Sequence, residues 1–256
     1  MRVVTGLVLT GLLLYALACL ALFLSQRSLI YYPQPRRHGD AAGIMKLPVQ
    51  GAELNIGRRQ FDGPKAVIYF GGNAEDVSGS LPDLDAAFPE HALYLMHYRG
   101  YGGSTGKPTE ADLFADALAL FDHVHATHPQ VTVIGRSLGS GVAVHLASRR
   151  PVARVVLVTP YDSIAELAAQ QFPVFPIRFI LSDKFESWRD APQITAPTTL
   201  VTAQNDEVIP RASTDRLLSR FKPGVARQIV IPATGHNTLS EDSAYIRAIS
   251  HLPASK

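Results

Sequence analysis

The sequence predicts an α/β fold, a doubly wound and mostly parallel sheet carrying a small lid or insert, preceded by an N-terminal transmembrane helix. Three observations carry this expectation. From Lys65 onward, short continuous apolar runs alternate with segments of helical period, the rhythm of strands buried on both faces between crossover helices. One of these runs, Val131–Ile134, leads directly into Gly135-Arg136-Ser137-Leu138-Gly139 and then into a helix-like run, Ser140–Ser148. Finally, Val3–Leu24 is apolar and carries no charge.

Taken in chain order, the N-terminal run comes first. As a helix at 1.5 Å per residue it measures about 33 Å, enough to cross a hydrocarbon layer of ~30 Å. A cleaved signal peptide is the competing expectation, with Arg2 as its positive start and Ala16-Leu17-Ala18-Cys19 as a faint lipoprotein cleavage box. Leu20–Leu24 stay apolar beyond that cysteine, which favours an uncleaved single-pass anchor over residues 1–27 and a folded domain over 28–256. The basic residues Arg27, Arg36 and Arg37 after the span favour a cytoplasmic domain, whereas the short tail before it suits a signal-anchor that exports the domain; the side stays open. Ser25–Gly43, rich in Pro, Arg and Tyr, is expected to be juxtamembrane, with Tyr31 and Tyr32 at the interface.

Strands are expected at Ala66–Phe70, Ala92–Met96, Val131–Ile134, Val155–Val158, Thr199–Thr202 and Gln228–Ile231. Helices are expected near Glu110–Ala126, Ser140–Ser148, Arg211–Phe221 and Ser240–Ile249. A sheet of this kind binds ligands beyond the carboxyl ends of its strands. The rhythm breaks over residues 161–196, where Gln171–Leu181 is apolar and interrupted by Pro173 and Pro176; a lid and a buried connection fit that composition equally.

Composition removes several function classes. A net charge of +2 with 18% charged residues leaves no basic stripe for nucleic acid. Cys19 is the only cysteine and lies in the apolar run, so the domain has no thiols for disulfides or cysteine-ligated metal. No glycine-rich phosphate loop with Lys-Ser/Thr is present. His123, His125 and His128 superficially match a His-x-His-x-Asp-His zinc signature, but Thr127 stands at the carboxylate position and the run ends a helix. No metal and no cofactor are expected.

The Gly135–Gly139 segment has the form of a strand-to-helix elbow that lifts a serine oxygen above the sheet, and its flanking glycines suit a turn too tight for a Cβ. Ser137 is the candidate nucleophile. A second five-residue match, Gly102-Gly103-Ser104-Thr105-Gly106, is followed by Lys107-Pro108, so no helix can start there and Ser104 belongs to a loop. A serine needs a base: His236, in Thr234-Gly235-His236-Asn237 after the last strand-like run, lies at the right edge. Asp206, in Gln204–Pro210, is the expected acid, with a helix cap as its plain alternative and Asp162 in reserve. Backbone N–H groups of Leu138 and Asn73 are the expected oxyanion donors, the second from the loop Gly71-Gly72-Asn73-Ala74-Glu75.

These segments, together with Leu29–Pro33, Tyr98–Ser104 and Thr159–Ser163, resemble the α/β-hydrolase superfamily, in particular its single-pass membrane-anchored hydrolase-domain proteins, related to protein depalmitoylases and bacterial serine hydrolases. Gly71 departs from the family pattern, which has His before Gly-Asn, and this puts in question how the oxyanion loop is braced. The resemblance implies a membrane-tethered serine hydrolase that cleaves a carboxylic ester or thioester, lipidic or not, through an acyl-enzyme. An amidase or peptidase with the same three residues, and a non-catalytic interaction domain of hydrolase fold, are its rivals. Nothing in the sequence fixes the oligomeric state.

Overall fold

The computed structural model describes residues 1–37 and 43–250; residues 38–42 of the expected juxtamembrane stretch and 251–256 of the expected domain lie outside the described residues. The chain opens with α1 (Arg2–Ile30) and continues through β1 (Gly43–Val49), β2 (Ala52–Arg59), β3 (Lys65–Phe70), α2 (Leu81–Ala87), β4 (Ala92–Met96), α3 (Glu110–His125), β5 (Gln130–Arg136) and α4 (Leu138–Arg149). After α4 come β6 (Arg154–Val158), α5 (Ile164–Gln171), α6 (Ile177–Ile180), α7 (Ser187–Asp190), β7 (Thr198–Ala203), α8 (Arg211–Leu218), β8 (Ala226–Ile231) and α9 (Ser243–Ser250).

The eight strands form one sheet in the order β1-β2-β4-β3-β5-β6-β7-β8. From β4 to β8 neighbours are parallel, whereas β1 and β2 pair antiparallel with each other and β2 pairs antiparallel with β4. The runs expected as strands are the interior ones, and their continuous apolarity has its cause in two covering layers: β4, β6 and β7 are buried at every residue. The sequence reading missed β1 and β2. They sit at the sheet's edge, where Lys46, Glu53 and Arg58 interrupt the apolar pattern, so the buried-strand criterion does not detect them.

α1 runs through Ile30, since Ser25–Ile30 continue the helical hydrogen bonding up to the Tyr31 N–H, which donates to the Arg27 carbonyl. One expectation at the N-terminus is corrected. Tyr31 does not lie at an aqueous boundary: it is buried, its hydroxyl donates to Asp183 and its ring meets Phe185 edge-on, while Tyr32 is exposed. α1 is long and apolar enough to cross a membrane by length and composition, and its leucines from Leu7 to Leu17 face outward.

Residues 161–196 fold into α5, α6, α7 and a short turn, and they cap the carboxyl edge of β5, β6 and β7. Glu110, the first residue of α3, fastens the far end of this cap by accepting the Lys184 and Phe185 N–H groups at 2.7 and 2.9 Å. Arg99 and Asp116, both buried, form a two-pronged ion pair at 2.8 Å that ties the loop after β4 to α3.

Candidate active site

The carboxyl ends of β5, β7 and β8 deliver the three side chains named from the sequence. Ser137 occupies the single residue between β5 and α4, at φ 48° and ψ −115°, a conformation that L side chains rarely adopt. Its backbone is pinned on both sides: its N–H donates to the Val158 carbonyl at 2.9 Å, and its own carbonyl accepts from the Ser140 N–H and hydroxyl. The flanking glycines are required by contact. A Cβ on Gly135 would run into the Gly139 carbonyl, and one on Gly139 into the carbonyl of Phe70 at the end of β3. The sequence reading of the elbow and the geometry therefore share one physical cause.

His236 lies in the loop after β8, buried, with Nε2 at 3.1 Å from Ser137 Oγ. Its Nδ1 lies 3.0 Å from both carboxylate oxygens of Asp206, which follows β7. In this order a proton on Nδ1 would face the Asp206 carboxylate and leave Nε2 as an acceptor toward Ser137 Oγ. Asp206 Oδ1 also accepts the Val208 and Ile209 N–H groups at 3.0 and 2.7 Å, both in the loop before α8; the N-cap of α8 is Pro210, so Asp206 is not that helix's cap. Glu207 adds a second anchor by accepting the His236 N–H at 3.0 Å; that backbone hydrogen bond holds its carboxyl below the usual range, so it stays charged across neutral pH.

Asp162, the reserve choice, is not near the imidazole. It is engaged with Arg216 Nε at 2.6 Å, the Ser213 hydroxyl and the Ser163 N–H, a structural knot between β6 and α8. Ser104 sits in the loop after β4, buried, its hydroxyl accepting the Asn55 N–H and donating to the His97 carbonyl. Of the histidine cluster, His125 stacks on Phe121 and His128 binds the Gly63 carbonyl and the Tyr94 hydroxyl.

The Gly71–Glu75 loop lies against the serine, a Cβ on Gly72 falling 3.8 Å from that of Ser137. Among the described residues neither the Leu138 nor the Asn73 N–H donates a hydrogen bond, which leaves both groups available beside the serine. Glu75 is what sequence reasoning missed here: its carboxylate accepts the Gly72 N–H, the Tyr69 hydroxyl and the Ser80 hydroxyl, each at 2.7 Å. Burial, and then the Glu75 charge, raise the Tyr69 pKa, so Tyr69 remains a donor. Val77 occupies the space a side chain on residue 71 would need, which is why Gly71 fits without the family's histidine. From the other side, the Tyr98 hydroxyl donates to the Gly71 carbonyl and the Tyr101 hydroxyl to the Asn73 carbonyl, at 2.8 and 2.6 Å. Both tyrosines come from the Tyr98–Ser104 segment, whose apolar rings and polar ends between glycines were the readable signal.

A cavity of about 590 Å³ opens above Ser137 and His236, walled by Ile164, Leu167, Phe172 and Ile177 of the cap and by residues of α1. A serine at a strained elbow, an imidazole within reach and a mainly apolar cavity on a parallel sheet define a protein of the α/β-hydrolase class. Residues 66–185 match the family model described as the alpha/beta hydrolase fold. The chain is 31% identical over 253 residues to an uncharacterized protein of Mycobacterium tuberculosis, covering 91% of this chain and 86% of that one. It is 30% identical over 164 residues to alpha/beta hydrolase domain-containing protein 17B of Homo sapiens, covering 62% and 55% of the two chains. Among solved structures, an esterase of Pyrococcus furiosus superposes with a TM-score of 0.68 at 17% identity, over 86% of this chain and 97% of that one, a likeness of fold. The chain belongs to the α/β-hydrolase family, and the family supports a hydrolase.

Proposed function

We propose that this protein is a membrane-tethered serine hydrolase that cleaves carboxylic esters or thioesters through an acyl-enzyme. The observation that carries the proposal is the hydrogen-bonded line from Ser137 Oγ to His236 Nε2 at 3.1 Å and from Nδ1 to Asp206 at 3.0 Å, at the end of a strained elbow. His236 accepts the Ser137 proton as Oγ attacks the acyl carbon, and Asp206 stabilises the imidazolium. Charge developing on the carbonyl oxygen is met by the Leu138 and Asn73 N–H groups, fixed in advance by the helix start and by the Glu75 and Tyr101 braces. Collapse breaks the bond to the alcohol or thiol, which leaves with the proton from His236. Water then loses a proton to His236 and attacks the Ser137 ester; the carboxylic acid departs and Oγ recovers its proton.

A cavity lined mainly by leucine, isoleucine, valine and phenylalanine side chains favours an acyl group over a charged or peptide substrate. The tether rests on α1, whose apolar residues face outward while its C-terminal turns pack into the domain; that packing supports an uncleaved anchor over a signal peptide. A panel of p-nitrophenyl esters, acyl thioesters and anilides of matched chain length tests the bond class. Esters and thioesters are expected to turn over with a burst of the first product, and Ser137→Ala to abolish turnover by about 10⁴-fold or more. Anilide hydrolysis faster than that of the matched ester would move the assignment to an amidase.

A further inference from the structure

The anchor helix is part of the cavity. Leu22, Gln26, Leu29 and Ile30 of α1 line it, spaced i, i+4, i+7 and i+8, so they form one stripe of the helix facing the reacting serine. The stripe begins inside the apolar run and ends at Ile30, about 12 Å further along at 1.5 Å per residue, where the Ile30 carbonyl accepts a hydrogen bond from the Asn73 side chain of the oxyanion loop. The wall thus runs without interruption from the apolar segment to the reaction centre.

The same helix is clasped to the cap. Gln26 accepts the Ser182 N–H at 2.6 Å, and Arg27 and Tyr31 both meet the buried Asp183 at 3.1 Å. Deeper along α1, the Tyr15 ring stacks on Phe175 with centroids 5.8 Å apart, and its hydroxyl donates to the Val174 carbonyl at 2.8 Å. Tyr15 lies about 13 Å inward of Leu24 along the helix axis, so an α1 that crosses a membrane carries the Phe172–Pro176 turn into the apolar layer. The turn is made for such a place. Pro173 and Pro176 have no N–H to satisfy, and the Val174 carbonyl has its partner in Tyr15. Its outward side chains are apolar, with Val174 70% and Phe179 89% exposed, and the adjacent Arg178 is paired with Glu166 at 2.6 Å.

We propose that the tip of the cap is inserted in the bilayer beside α1 and that the cavity receives its acyl chain laterally, along the Leu22–Ile30 stripe. The proposal rests on the hydrolase reading above for its chemistry. The occupant is an acyl chain because the entrance is continuous with an exposed apolar helix and its edges, Gln26 and Gln171 apart, are apolar.

The test uses the full chain in phosphatidylcholine vesicles with Trp188→Phe as background. The tryptophan introduced by Phe179→Trp is expected to be quenched by lipids brominated on their acyl chains; absence of quenching overturns insertion. In parallel, Val174→Asp combined with Phe179→Asp, neither of which lines the cavity, is assayed on soluble p-nitrophenyl butyrate and on a palmitoyl ester dissolved in the vesicles. Palmitoyl turnover is expected to fall by about tenfold or more, because carboxylates are strongly disfavoured in the hydrocarbon layer, with butyrate turnover unchanged. Equal rates for variant and wild type on the palmitoyl ester overturn lateral entry. A wild type that hydrolyses neither ester would sink the hydrolase reading alone, since the quenching locates the cap without any turnover.

Discussion

Asp206 bears two tasks on one carboxylate, and they separate by substitution. As the imidazole's partner it faces Nδ1, and within its own loop it satisfies the N–H groups of Val208 and Ile209. Asp206→Asn retains an oxygen for those N–H groups but turns the imidazole toward the wrong tautomer, so kcat is expected to fall by about 10⁴-fold with little change in melting temperature. Asp206→Ala loses both, and a further destabilisation of about 1–2 kcal/mol is expected in a thermal unfolding series. Equal kcat for Asp206→Asn and wild type would remove the carboxylate from the mechanism. Ser137, His236 and Asp206 were all legible because each chemical type follows a strand at the sheet's carboxyl edge. Glu75 and Glu207 were not, since a carboxylate that accepts a backbone N–H three or more residues away carries no sequence pattern that separates it from a solvated one.

Among the elements, the interior parallel strands and α3, α4, α8 and α9 follow from apolar period, while the edge strand β1 and the short helix α2 have little buried surface to write into the sequence, and β2, paired on both sides, escaped because Glu53, Asn55, Arg58 and Arg59 break its apolar run. The cap was legible as a break in the rhythm, but not what it packs against: contacts between α1 and residues more than 150 positions away are long-range pairings that no local period encodes. Asp183 is the hub of that pairing. Removing its charge leaves the Tyr31 hydroxyl and Arg27 with a poorer acceptor, so Asp183→Asn is expected to loosen the end of α1 and to speed tryptic cleavage after Arg27 several-fold in the full chain. Unchanged cleavage would mean that Gln26 and the apolar stripe suffice to hold the helix.

At the scale of the molecule, a nearly neutral chain with an exposed apolar helix, a cap that leans on it and a parallel sheet beneath converge on one cavity. The sheet supplies rigidity where the strained serine sits, and the cap and anchor supply the apolar walls that a sheet edge alone lacks. All of this depends on Ser137 being an activated nucleophile. Labelling of the full-length protein with a fluorophosphonate probe, beside Ser137→Ala and Ser104→Ala, measures that directly, because the covalent adduct needs no knowledge of the substrate. Labelling of the wild type and Ser104→Ala, with none in Ser137→Ala, is the predicted result; a folded wild type that takes up no probe, or a Ser137→Ala variant that still does, would contradict it.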